Sequence, residues 1–314
     1  MKILISYFTG SGNTEKVLKK FKSEFEKEGY EVDFVKIENQ LYKTENKKDI
    51  DFNEYDLFGF GYPVHGFNAP EIMLDWARSL PQVYGNKKAF IINTSAEPLK
   101  VNNISSIKFT KLIEKKGFDV QNEYHYVMPY DMIFRHHQKT AFKMWDTAQK
   151  LIKIDAKAIM AGKSEKLEHV KFGSLIAGIM RIEHFGAKFN GLLYSVDSTK
   201  CLKCNKCVNI CPTNNIKRVN DKFKFGGNCT MCQRCTYFCP TDSIKTGLFN
   251  SWRVNSPYTF KDTDDEMAYD NKVPMTEKRI KRADKFNDFW CKETYKKYFE
   301  EAEEKIKNNE EKQD

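Results

Sequence analysis

The sequence predicts an α/β fold, a five-stranded parallel sheet followed by a small α+β unit built around cysteines. Three observations predict it. Five short β-rich apolar runs alternate with helical stretches in the first half of the chain, the order that builds parallel sheets. A glycine- and hydroxyl-rich loop, Thr9-Gly10-Ser11-Gly12-Asn13-Thr14, joins the first run to the first helix. Between Cys201 and Pro240 the spacing C-x₂-C-x₂-C-x₃-C-P occurs twice.

Residues 2–8 read as the first strand. Residues 15–28 read as an amphipathic helix, because Val17, Leu18, Phe21 and Phe25 recur at spacings of three and four. In the loop between them, glycines let backbone N–H groups converge, and the helix N-terminus adds positive potential. Thr9, Gly10, Ser11, Gly12, Asn13 and Thr14 are therefore a candidate phosphate cradle. The loop is neither a Walker loop nor G-x-G-x-x-G. The plainer alternative is a strand–turn–helix capped by Asn13 or Thr14. Residues 30–37 form the second strand and 38–52 a polar loop. Residues 57–61 form a third strand, leading into Tyr62, Pro63, Val64, His65 and Gly66, where doubly wound sheets bind ligands.

Residues 71–80 read as a helix and 88–93 as the fourth strand, followed by Thr94, Ser95 and Ala96. A helix over 104–116 ends at Gly117. The fifth strand lies within 118–127. Residues 128–137 form an insert whose Arg135, His136 and His137 could contact an anion or a partner, although a lone His-His pair reads as solvated rather than as a metal site. Residues 140–160 are helical, with Phe142, Trp145, Ala148, Leu151 and Ile152 on one side. The division expected is 1–163 for the sheet domain, 164–195 for a connecting segment, 196–248 for the cysteine domain and 249–314 for a charged, partly helical extension. Residues 172–193, with four glycines and scattered aromatics, are broken by charges, so they are no span and instead pack the two units together. A charged helix is expected over 277–307, with Thr276 as its N-cap and Cys291 structural.

The cysteine stretch is also an internal repeat. Setting residues 201–217 on 229–245 matches four Cys, then Pro-Thr, then Ile-Lys. Three thiolates in a short loop can hold three corners of a [4Fe–4S] cube, and in this run the fourth Cys ligates the other cluster. One set is then Cys201, Cys204, Cys207 and Cys239. The other is Cys229, Cys232, Cys235 and Cys211. Zinc is the rival, although its sites use paired Cys-x-x-Cys rather than a triplet plus Cys-Pro. Disulfides are disfavoured because nothing marks the chain as secreted.

Composition narrows the class. The chain has 314 residues and a net charge of +9, and no apolar run approaches the roughly 18 residues of a membrane span. The apolar start breaks off at Thr9, too short for a secretion signal, so the cytoplasm is the expected location. The basic residues form no dense block and no nucleic-acid motif is present. Within 195–250, nine Lys/Arg face three Asp/Glu, a net of +6 around the cysteine motifs.

From these residues the chain resembles three families. The doubled cysteine motif resembles bacterial two-cluster ferredoxins over about 196–245. The Thr9–Thr14 loop with the following pattern resembles the flavodoxins over about 1–162. That resemblance implies a doubly wound sheet of order 2-1-3-4-5 and an FMN whose phosphate sits in the first loop. It also places the flavin ring between Tyr62–Gly66 and the loop of Asn93, Thr94, Ser95 and Ala96, with Tyr62, His65 and Phe67 as aromatic candidates and no aromatic in the second loop. The order of FTGSGNT, GYPVHGFNAP, NTSAEP and the doubled cysteine motif resembles the EFR family ferredoxins. The expected function is electron transfer between FMN and two [4Fe–4S] clusters and onward to a redox partner protein of unknown identity. The rivals are an FMN-dependent reductase of a small organic substrate and a ferredoxin whose flavodoxin-like part is a flavin-free docking module.

Overall fold

A computed structural model describes residues 1–254, 256–262, 276–288 and 292–311. Cys291 and Trp290 lie outside the described residues. The first half is a five-stranded parallel sheet of order β2-β1-β3-β4-β5. Its strands are β1 (Lys2–Tyr7), β2 (Glu31–Lys36), β3 (Leu57–Pro63), β4 (Lys87–Ser95) and β5 (Phe118–Val127). The central strands are buried almost throughout, as sequences covered on both faces should be. Helices α1 (Asn13–Lys27) and α5 (Gln138–Met160) cover one face, with Phe21, Phe25 and Ile152 packed on Ile3, Ile5 and Phe90. On the other face, α3 (Glu71–Ser79) and α4 (Ile107–Glu114) set Met73 and Phe109 on Leu4, Phe60 and Ile91. This is the doubly wound, flavodoxin-like sheet that the alternation predicts.

Three segments depart from the expectation. The stretch 38–52 is not plain loop: α2 (Ile37–Leu41) opens it and buries Glu38. Residues 172–193 are two helices, α6 (Gly173–Met180) and α7 (Ile182–Leu192), buried on one side only. Among the described residues the charged C-terminal stretch gives α10 (Glu277–Phe286) and α11 (Lys292–Glu310). Thr276 precedes α10 with extended backbone but makes no side-chain cap.

The cysteine-rich unit is small. Strand β6 (Tyr194–Val196) pairs antiparallel with β9 (Ile244–Thr246), and β7 (Ile216–Val219) with β8 (Lys222–Phe225). Two short helices, α8 (Lys206–Ile210) and α9 (Arg234–Tyr237), follow the two cysteine triplets. The sequence repeat is a backbone repeat. Lys203 and Met231 take φ of 52° and 49°, Asn205 and Gln233 take 58° and 57°, and Asn214 and Asp242 take 51° and 49°. Such left-handed turns are uncommon for non-glycine residues, so three matching pairs mark one duplicated loop geometry.

Candidate functional site: two cysteine loops against the strand ends

Each cysteine loop is held by the same bonds. The Lys203 N–H donates to Cys201 Sγ (3.4 Å), and the Met231 N–H to Cys229 Sγ (3.4 Å). The Asn215 N–H donates to Cys211 Sγ (3.3 Å), and the Ser243 N–H to Cys239 Sγ (3.4 Å). These donors point where thiolates need positive potential, and such bonds tune an iron–sulfur potential. Cys211 does not group with the triplet beside it in sequence. With Cys229, Cys232 and Cys235 it lines a small cavity, walled also by Tyr194, Ile216 and Phe225. The charges felt most by Cys207 are those of Cys239, Cys201 and Cys204. The spatial grouping is thus the crossed one. Among the described residues, no three His, Cys, Asp or Glu side chains gather tightly enough to hold a single metal ion.

The two sets differ in surroundings. Cys204 is exposed, whereas Cys211 is buried. Burial pushes the Cys229 thiol up to about 12 and Cys207 up to about 11, and lifts Cys235 well above its ordinary value. Cys239 goes the other way, because hydrogen bonds from Ser243 and Thr241 outweigh its burial. The donor set and the cavity fit [4Fe–4S] clusters: soft sulfurs, an apolar wall and N–H donors on the ligand atoms.

The candidate phosphate cradle lies directly beneath the second cysteine loop. Gly10 packs so closely that a Cβ there would sit 2.4 Å from the Cys232 carbonyl oxygen. Arg234 seals the contact. Its guanidinium donates to Thr9 O, to Ile210 O (3.2 Å) and to Glu38 Oε1 (2.8 Å), and it lies over the Phe8 ring. On the far side, Ser11 hydrogen-bonds the Asp131 carboxyl, which burial pushes up to about 6. Gly12, with φ of 105°, caps α1 through backbone alone, and its N–H donates to Thr9 Oγ1 (3.1 Å). Neither Asn13 nor Thr14 caps the helix. Asn13 Nδ2 donates to Pro129 O (2.8 Å), and the Thr14 and Thr94 hydroxyls bond each other (2.8 Å).

The flavin-ring loops are also covered. Tyr62 is fully buried against Phe109 in the core under the sheet, so it offers no face to a ligand. The sheet pleat decides this, since it points Tyr62 to the same side as Phe60. The N–H of Val64, next to Pro63, donates to Thr94 O (2.8 Å). The His65 ring meets Phe8 edge-on, and burial holds its pKa down at about 4. A Cβ on Gly66 would meet Glu183 of α7. The Ser95 hydroxyl bonds His125 (2.7 Å), and Ala96 O accepts from Tyr295 of α11 (2.6 Å).

In this arrangement the residues present do not fit FMN. A doubly charged phosphate at this loop would stand near the Cys232 carbonyl packed on Gly10 and the Asp131 carboxyl bonded to Ser11, both of which repel an anion. Sequence reasoning missed Asp131, Glu38 and Tyr295 and the reach of Arg234 into the sheet domain, because each acts across more than a hundred residues of chain. It also misread the insert. Arg135 and His136 are buried, and they tie the extension down through Ser256 O (2.7 Å) and Tyr295 (3.0 Å) rather than facing solvent.

Comparison with known proteins bears on both halves. Residues 194–217, the first cysteine run, match the 4Fe-4S binding domain family. A Streptococcus pneumonia TIGR4 flavodoxin is 12% identical over 52% of this chain and 99% of its own, with a TM-score of 0.37. For Flavodoxin 2 from Bacillus cereus the values are 17%, 52%, 99% and 0.36. For an NAD(P)H:quinone oxidoreductase from Methanothermobacter marburgensis they are 13%, 50%, 96% and 0.33. The strand order above carries the fold, not these scores. No curated protein matches the chain. A flavodoxin-like sheet joined to a ferredoxin-type 4Fe-4S unit gives the chain a redox role.

Proposed function

We propose that this chain is an electron carrier holding two [4Fe–4S] clusters on crossed cysteine sets, with its flavodoxin-like part as the platform. One set is Cys201, Cys204, Cys207 and Cys239; the other is Cys229, Cys232, Cys235 and Cys211. The order of motifs supports a place among EFR family ferredoxins, with boundaries near residues 163, 195 and 248. The observation that carries the reading is the seat of Cys232 on Gly10, locked by Arg234. It joins the buried cysteine loop to the strand ends, where a flavodoxin would hold its flavin. When bound, the clusters each supply a one-electron couple. The protein's own part is to fix the thiolates, aim N–H groups at them, exclude water from the second set and leave the first near solvent. Anaerobic reductive titration tests this: about two electrons per chain are expected, one for each cluster.

A second reading retains FMN. The favouring observation is the N-terminus of α1 behind Gly12, where no side chain caps the helix. It requires the cysteine unit to leave the cradle. It predicts about four electrons per chain in the same titration, because flavin takes two.

A further inference from the structure

The hairpin of α6 and α7 has one face built into the molecule and one face that none of the described residues covers. Its inner face is fixed. Asn68 Nδ2 donates to Ala177 O (3.1 Å), His184 bonds Glu71 (3.2 Å), and Gly191 lies so close to Cys229 that a Cβ there would be 2.2 Å from the cysteine's own. Its outer face carries Phe172, Leu175, Ile179, Ile182, Phe185 and Phe189, each 62–79% exposed. Leu248, 71% exposed, follows Gly247, which packs on α7 at Asn190 and Leu193. Taking about 200 Å² for each open side chain, the face presents roughly 900 Å² of apolar surface, beyond the few hundred usual for a monomer.

We propose that this face lies on an anionic lipid surface, with the second cysteine loop held just behind it. Three features favour lipid over a protein partner. Protein interfaces this large carry about one hydrogen bond per 100–200 Å², yet apart from Glu183 and Lys188 the open positions between these side chains are Ser174, Gly178 and Gly186. A lipid surface needs no directional partners. Within 171–193 the cations are Lys171, Arg181 and Lys188, and Glu183 is the one acid. Lys171 and Lys188 are exposed, Arg181 turns toward Glu71, and the Glu183 carboxylate folds back toward Gly66. The chain carries +9 before clusters are counted, and two clusters at roughly −2 each leave about +5, which draws it to anionic headgroups. No helix among the described residues is long and apolar enough to cross a membrane, so the contact is one of lying on the surface.

The test is vesicle co-sedimentation of the full, cluster-loaded chain, using phosphatidylcholine with or without phosphatidylglycerol. Binding is expected to the anionic vesicles and to weaken as salt rises. The combined variant Ile182→Ser, Phe185→Ser and Phe189→Ser changes only exposed positions. It should keep the cluster absorbance and lose roughly tenfold or more in vesicle binding. Lys171→Glu with Lys188→Glu should lose less, and mainly at low salt. A chain that stays in the supernatant with both vesicle types would overturn the proposal. So would a triple variant that binds as the parent does. A stable dimer in sedimentation velocity, dissolved by the triple variant, would instead assign the face to a second copy and equally overturn it.

Discussion

The two cysteine loops share one backbone and differ in what lies on them. Residue by residue at a spacing of 28, Cys204 corresponds to Cys232 and Lys206 to Arg234. Cys204 is exposed beside Leu202, itself 67% exposed, while Cys232 sits on Gly10. Lys206 reaches over the Phe238 ring of its own unit, and Arg234 crosses to Glu38 and Thr9 of the sheet. A duplicated loop thus became a port and an anchor through the residues beside its cysteines. The first loop leaves Cys204 open to solvent, and the second, through Cys232 and Arg234, is where the unit is held.

The largest effect that could break this comparison is on ligation. Cys211→Ala should remove the second-loop cluster and about half the iron while sparing the first, because Cys211 faces Cys229, Cys232 and Cys235. Cys239→Ala should do the reverse. Paramagnetic resonance of the reduced protein reads which signal disappears. Loss of the neighbouring cluster in each case would remove the crossing.

Next comes the anchor. Arg234→Ala leaves the nearly buried Glu38 carboxylate without its cation, and breaking such a pair costs about 3 kcal/mol. Thermal unfolding should show that loss, whereas Lys206→Ala at the matching position should stay within about 0.5 kcal/mol. Equal effects from the two substitutions would erase the asymmetry between the loops.

Asp131 sharpens the same contact through pH. Its carboxyl is held near 6, chiefly by burial, against 3.8 as the ordinary value. The folded state therefore binds its proton more tightly than the unfolded chain. That contribution to stability is complete below about pH 4 and is lost as pH rises through about 6. Asp131→Asn should flatten the fall and raise stability at pH 8 by about 1–2 kcal/mol, since the group is only partly enclosed. Melting curves at pH 4 and pH 8 check it; an unchanged pH slope would place Asp131 in water.

The smallest expected effect concerns the port. Lys203→Glu with Lys206→Glu should lower the first cluster's potential by roughly 30 mV at low salt, because nearby positive charge favours the more negative reduced form. Lys203 already pairs with Asp221 (3.4 Å), which limits the shift. Voltammetry at two salt concentrations reads it, and a shift that ignored salt would point to a structural cause instead.

Whatever depended on short-range pattern was legible in the sequence. The five strands followed from alternation, and the repeat followed from cysteine spacing, because the helix period and loop length act within a few residues. Boundaries moved little: the helix expected over 140–160 starts at Gln138. What the sequence hid was tertiary. Glu38, read as part of a polar loop, is buried because Arg234, nearly two hundred residues later, reaches it. Tyr62 read as a flavin-facing aromatic, yet the pleat turns it into the core. His136 read as solvated and Arg135 as a contact for an anion or a partner, until the extension closed over both. In each case the deciding partner lies far off in sequence, where no local pattern records it.

The central claim is that the cysteine unit occupies the strand ends in place of a flavin. Iron, sulfide and flavin analysis of the full chain purified without oxygen tests it most directly. The account predicts about eight irons, about eight sulfides and no flavin per chain. One tightly held FMN per chain would contradict it.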